Sequence, residues 1–194
     1  METKELTFWW QQLEAQWRHA FAECFFKHNN EPTPTELAQL YSAPAIRMAG
    51  PSAPYPNMSF QLNNLSGLVG LDNLRIVVVT HQLVETIREL KSLPQLTSLF
   101  LSNNIITSLE GIENLTQLSQ LYVQSNKIES IQEVRNLVNL KELYVNDNRI
   151  NSLEGLTEEH ADKLERFFCK PNDELKSKEI LRVERELGIR CSRA

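Results

Sequence analysis

The sequence predicts an α/β solenoid, a parallel sheet built from one short strand per repeat and closed at each end by helix. Three observations predict it. Leu74, Leu96, Leu118 and Leu140 open successive units 22 residues apart. Within a unit the apolar residues keep the relative positions 1, 4, 6, 11, 14, 17 and 20, as in Leu96, Leu99, Leu101, Ile106, Leu109, Ile112 and Leu115. Position 9 is an asparagine in three successive units, at Asn104, Asn126 and Asn148. Self-similarity at such a period marks stacked repeats, and 194 residues suffice for one core but not for two full enzyme domains.

Taken in order, residues 5–28 read as one amphipathic helix. Leu6, Trp9, Trp10, Leu13, Trp17, Ala20, Phe21 and Cys24 recur at steps of three and four on one face, with Phe8 and Phe26 on the other side. All three tryptophans of the chain lie here. A stack of repeats leaves the core of its first unit open, so this aromatic helix is expected to cap that end; the competing expectation is a docking helix for a partner. Thr33-Pro34-Thr35-Glu36 has the form of a helix start, with Thr33 as N-cap, Pro34 in the first helical position and Glu36 reaching back, and a short helix over 34–40 follows. Residues 1–42 thus form an N-terminal helical cap.

The repeats occupy 43–172. In the first unit Ala45-Ile46-Arg47-Met48 is the strand, and Leu62, Leu65, Leu68 and Leu71 are the return limb. Between them the loop at 50–56 holds three prolines and a glycine, which forbid a regular element. Leucines at a period of three suit 3₁₀ or irregular turns on the return limbs better than a long α-helix. Positions 3 to 7 alternate, as in Ser98-Leu99-Phe100-Leu101-Ser102, so Leu99 and Leu101 point inward and Phe100 outward. One strand cannot bury its own apolar face, and successive units therefore stack in parallel at about 4.8 Å per unit. The position-9 amide is expected to bond backbone groups of its own turn and the next. The unit from Leu74 carries Gln82 instead. Leu164, Phe167, Cys169 and Asn172 restart the pattern after 24 residues rather than 22. A helix over 177–187, stopped at Gly188, makes residues 173–194 a C-terminal helical cap.

The motif Leu-x2-Leu-x-Leu-x2-Asn-x-Ile, matched in tandem and in phase over residues 62–172, resembles the leucine-rich repeat family, specifically the 22-residue class found in internalins and in a regulatory subunit of protein phosphatase 1. The resemblance implies a curved solenoid with its strands on the concave side and a protein-binding role. It does not imply a particular partner.

The chemistry the chain lacks narrows its function. A formal charge of −5 argues against a nucleic-acid binder, because phosphate binding draws its affinity from clustered Lys and Arg. Nothing approaches the apolar length that a membrane span needs, and the N-terminus does not read as a secretory signal, so a cytoplasmic location is expected. Cys24, Cys169 and Cys191 are odd in number and far apart, which suits reduced thiols, with Cys191 exposed near the end of the chain. Cys24 and His28 are spaced four apart, yet with no second pair they read as structural rather than as a metal site. No catalytic carboxylate pair, phosphate loop or triad is apparent. No enzyme, cofactor or metal is expected.

The outward positions carry the functional expectation. Position 5 runs Val78, Phe100, Tyr122, Tyr144 and Phe168, with Arg47 before them, which puts four aromatics in phase over about 14 Å. Rigid aromatics at solvent-facing positions suit a binding surface, although neighbours could merely stack on each other. Gln120 and Glu142 flank the stripe at position 3, and Gln124 and Asn146 at position 7. Hydrogen-bonding flanks without a dominant charge suit a protein partner. The chain is therefore expected to be a non-catalytic, monomeric protein-binding module, an intracellular adaptor or regulatory subunit. A carbohydrate-binding or self-associating structural module is the alternative.

Overall fold

Each leucine-bearing unit contributes one strand, and a computed structural model of the chain, which describes residues 3–193, shows how the units stack. Three helical pieces, α1 (Thr3–Gln12), α2 (Ala15–Phe21) and α3 (Pro34–Ser42), precede the sheet. The strands are β1 (Ala45–Ala49), β2 (Ile76–Thr80), β3 (Ser98–Phe100), β4 (Gln120–Tyr122), β5 (Glu142–Tyr144), β6 (Arg166–Lys170) and β7 (Ser192–Arg193), with α4 (Glu158–Ala161) and α5 (Ser177–Glu186) on either side of β6. The seven strands form one open parallel sheet in chain order, on the concave side of the solenoid. Equivalent residues of successive units stand opposite each other, as in the chain of partners Val78, Phe100, Tyr122, Tyr144 and Phe168. The apolar positions line a continuous core in which Leu96, Leu99, Leu101, Ile106, Leu121 and Leu143 are wholly buried.

The position-9 amides hold the turns together. Asn126 donates to Leu101 O and Val123 O, both at 3.0 Å, and accepts from Ile106 N at 3.0 Å. Asn104, Asn148 and Asn172 repeat the pattern, each donating to its own strand and the one before. Gln82 is no break in the series: it accepts from Leu62 N at 2.7 Å and donates to Met48 O at 3.2 Å. Its longer side chain spans the interrupted first unit and does the same work.

The return limbs alternate in a way that the leucine spacing alone conceals. Gly67, Glu89, Gly111, Glu133 and Gly155 follow one another at 22-residue intervals. The limbs with glutamate wind into five-residue 3₁₀ turns, Arg88–Ser92 and Gln132–Asn136, whereas the limb of Gly67 makes only the short turn Ser66–Leu68 and those of Gly111 and Gly155 make none. The next limb lies close against each turn, so that a Cβ at Gly111 would stand 2.7 Å from Ile87 O and one at Gly155 only 1.8 Å from Ile131 O. Surface pairs join the same limbs, since Arg88 meets Glu110 at 2.6 Å and Gln132 donates to Glu154 at 3.2 Å. The two extra residues of the last full unit are accommodated near α4. There the buried His160 accepts from Thr157 N through Nδ1 at 3.1 Å, which leaves its Nε2–H to donate to Val134 O at 3.2 Å. Desolvation holds this imidazole below its usual pKa and so neutral.

The N-terminal segment is not the single helix expected over 5–28. It breaks at Leu13-Glu14 and ends in a π-helical turn, Ala22–Phe26. The cause is Glu14, whose carboxylate is drawn out of helical geometry to accept from Asn64 Nδ2 at 3.0 Å and Ser66 Oγ at 2.8 Å. Those bonds hold its pKa below the usual carboxylate range. The break clamps the cap to the first repeat. Trp17, wholly buried, donates to Asn64 Oδ1 at 3.0 Å and rests on Gly67, where a Cβ would lie 2.1 Å from its ring. Trp17 thereby replaces the 3₁₀ turn that a preceding unit would have supplied. Phe26, expected on the far side, packs edge-on against Trp10 at 5.6 Å. The helix start at Thr33 has the predicted form, with Thr33 and Glu36 capping each other reciprocally.

The β1 edge of the sheet is covered by the chain itself, and the far end carries one more strand. The proline loop brings Asn57 back along β1, where its amide donates to Arg47 O and accepts from Ala49 N, both at 2.7 Å, and so imitates a neighbouring strand. At the far end Gly188 takes φ +69° after α5 and returns the chain to form β7, which the helical periodicity did not reveal. Cys191 is accordingly buried rather than exposed, its N–H donating to Glu184 at 3.2 Å. Its thiol contacts that of Cys169, and this contact together with burial pushes the Cys169 pKa up.

Two outcomes test this account. Asn126→Leu strands three backbone groups at about 1–3 kcal/mol each, so chemical denaturation should show a loss of roughly 3 kcal/mol or more, whereas Gln117→Ala on the surface should cost well under 1 kcal/mol. Trp17→Ala empties the seat above Gly67 and should cost about 3–5 kcal/mol. A melting temperature unchanged by Trp17→Ala would show that the N-terminal helices are an appendage rather than a cap.

Candidate functional site

Because the inward positions and the amide ladder fix the backbone, the residues at positions 3, 5 and 7 form a surface whose spacing is set by the sheet. At position 5 the aromatic stripe is continuous. Phe100 meets Tyr122 edge-on at 4.9 Å, Tyr122 stacks on Tyr144 at 4.1 Å, and Tyr144 stacks on Phe168 at 4.5 Å. These rings are half-buried by one another, as is Val78 before them. Tyr122, Tyr144 and Phe168 thus form a stack that holds its rings in place, with Phe100 set across its end.

A polar cluster fixes the stripe further. Tyr122 donates its phenolic hydrogen to Glu142 in a short bond, and Arg166 pairs with the same carboxylate at 3.5 Å. Burial first, and then the bonds to Glu142 and Tyr144, push the Tyr122 pKa well above its usual range, so the phenol stays a donor. Beside it Ser98 donates to Gln120 at 2.8 Å. The structure thus brings together Val78, Phe100, Tyr122, Tyr144, Phe168, Gln120, Gln124 and Glu142 on one face. Asn146 is the exception among the expected site residues, since it is 4% exposed and donates to Asp147 at 3.2 Å.

Two features of this face escaped the sequence. His81, Asn103, Ser125 and Asp147 at position 8 all take left-handed backbone, with φ between 53° and 58°, and so end each strand rather than flank the stripe. Three of these four residue types are the ones enriched at positive φ, a signal that was available. The second is Arg193, brought beside Lys170 by β7. Among the described residues no three His, Cys, Asp or Glu side chains are placed to hold a metal ion, and no helix is long and apolar enough to cross a membrane. Cys24 and His28 do not converge on a ligand: His28 Nε2 bonds Glu36 at 2.8 Å, while burial pushes the Cys24 thiol up to about 12.

Comparison with known proteins places this arrangement. Residues 94–136 and 120–158 each match the family described as Leucine Rich repeats (2 copies). A comparison with curated proteins found no match. Among solved structures the chain is similar to an internalin, inlF, from Listeria monocytogenes, with 24% identity, a TM-score of 0.61, 75% of this chain covered and 39% of that one. It is also similar to internalin C2 from the same organism, with 27% identity, a TM-score of 0.54, and 68% and 53% covered. A third is the repeat ectodomain of the plant membrane receptor kinase GASSHO1/SCHENGEN3 from Arabidopsis thaliana, in complex with CASPARIAN STRIP INTEGRITY FACTOR 2, with 25% identity, a TM-score of 0.54, and 72% and 20% covered. The chain spans less than two thirds of the length of each. Both matched segments lie inside the run of strands whose amide ladder stacks in register, and residues 94–158 are leucine-rich repeats.

Proposed function

We propose that the chain is a non-catalytic protein-binding module, an adaptor or regulatory subunit, whose contact surface is the aromatic stripe of Phe100, Tyr122, Tyr144 and Phe168. Leucine-rich repeat domains generally mediate protein–protein interaction. The observation that supports this surface is the stacked and hydrogen-bonded stripe itself. Its rings are held before any partner arrives, which removes part of the ordering cost of association. The faces of Tyr122, Tyr144 and Phe168 are taken up by stacking on one another, which leaves less open face for the flat ring of a sugar than for the side chains of a protein. A monomer is part of the proposal, supported by the Asn57 amide along β1. So is a reducing, cytoplasmic setting, for which the odd number of cysteines speaks.

Capture from a native lysate with three baits tests the proposal: the wild type, Tyr122→Ala/Tyr144→Ala, and Glu129→Ala on a return limb as a control. Interface aromatics contribute about 2 kcal/mol each at the centre of a contact, so the tyrosine pair should weaken the captured partner by roughly a few hundredfold or more. Binding of that partner should survive in the control. Equal affinity for the wild type and a tyrosine variant verified as folded by circular dichroism would exclude the stripe as the contact surface.

A further inference from the structure

The charge on the sheet face is opposite in sign to that of the whole chain. Against the carboxylate of Glu142, the outward strand positions set Arg47, Arg166, Lys170 and Arg193, although the chain carries a net −5. Arg166 is paired with Glu142, and Arg47 donates to Tyr55 O beside the proline loop. Lys170 and Arg193 are different. They are paired across the neighbouring strands β6 and β7, where a bulge sets Ser192 opposite Phe168 and Arg193 opposite Lys170, and both line one pocket. Among the described residues neither belongs to an ion pair. Like charges placed directly opposite on a sheet destabilise it, and a counter-charge from outside would relieve the repulsion.

The surroundings fit such a counter-charge. Lys170 and Arg193 line a pocket of about 240 Å³ whose other walls are Pro171, Asn172, Asp173, Leu175 and Ile180, so two cations face it against one carboxylate. Phe168, the last ring of the stripe, is the register partner of Ser192 and lies two residues before Lys170. Two cations therefore stand at the end of an aromatic track, beside apolar walls.

We propose that this end of the stripe receives an acidic segment of the partner protein, with a carboxylate between Lys170 and Arg193 and an apolar side chain against Phe168. The proposal rests on the stripe being the contact surface. The occupant is acidic because Lys170 and Arg193 stand together without a paired carboxylate, and it is a peptide segment because only Arg47, at the opposite edge, continues the positive charge, which is not spread along the track as a polyanion would require.

The test is fluorescence anisotropy with a short fluorescein-labelled peptide of Glu, Asp, Phe and Leu, compared with the same peptide carrying Gln and Asn in place of the acids. For the wild type we expect the acidic peptide to bind at least about tenfold more tightly, with the difference shrinking as salt is raised. Lys170→Glu/Arg193→Glu should abolish that preference, and the milder Lys170→Gln/Arg193→Gln should reduce it, which guards against misfolding of the reversed variant. No preference in the wild type, including no binding of either peptide, would overturn the proposal. So would a preference that survives charge reversal, or a single-stranded DNA oligonucleotide that binds as tightly as the acidic peptide. Tyr122→Ala/Tyr144→Ala separates the two readings. If that variant binds the acidic peptide unchanged while charge reversal abolishes binding, the cation pair is a site and the stripe is not the contact surface.

Discussion

The structure depends on one side-chain amide per unit. Four successive strands, β2 to β5, end by turning inward through a left-handed residue, and that turn leaves carbonyls and an N–H away from water where they need partners. The amide at position 9 supplies them, and it does so across a unit boundary: Asn126 bonds the carbonyl of its own strand, the carbonyl of the previous strand and an N–H of the previous limb. Neighbouring units are thereby coupled by the same groups that end each strand. Buried leucines alone would hold the units together, but they would not fix the register in which one strand meets the next.

That register is what makes the face usable. With the backbone fixed from the inside, the outward residues can vary without cost to the fold, and they do, from Ile76 and Ser98 to Gln120, Glu142 and Arg166 at position 3. Aromatic rings at position 5 stack because the sheet delivers them to one another at 4.1 to 4.9 Å. The stripe is then a rigid object, pinned by the Tyr122 phenol to Glu142 and by Glu142 to Arg166.

How much of this the sequence discloses follows from the range of the interactions. The repeat, the strands, the inward leucines and the stripe are legible because they follow from a local period. Glu14 is not, because its helix breaks in order to reach Asn64 and Ser66, 50 and 52 residues away. Cys191 reads as exposed for a similar reason: only the pairing of Ser192 with Phe168 shows that the chain returns to the sheet. Gln82 looks like a departure from the asparagine series until the interrupted first unit shows the gap that its longer side chain crosses. Within the candidate site, residue identities were readable but burial was not, and Asn146, outward by position, is covered by its neighbours.

The alternation of Gly67, Glu89, Gly111, Glu133 and Gly155 gives the stack a second, longer rhythm. A wound limb is followed by a flat one pressed onto it, and the surface bonds from Arg88 to Glu110 and from Gln132 to Glu154 fall within these doublets. The interchangeable module is therefore a doublet of 44 residues, not the single 22-residue period that the leucines advertise. Deleting the Gly111 unit would set the five-residue 3₁₀ turns of the Glu89 and Glu133 limbs side by side, without the glycine that lets one limb lie close against the other. Change in the length of this stack is therefore expected to come in pairs, and Trp17, seated against Gly67, suits a glycine limb as the first member.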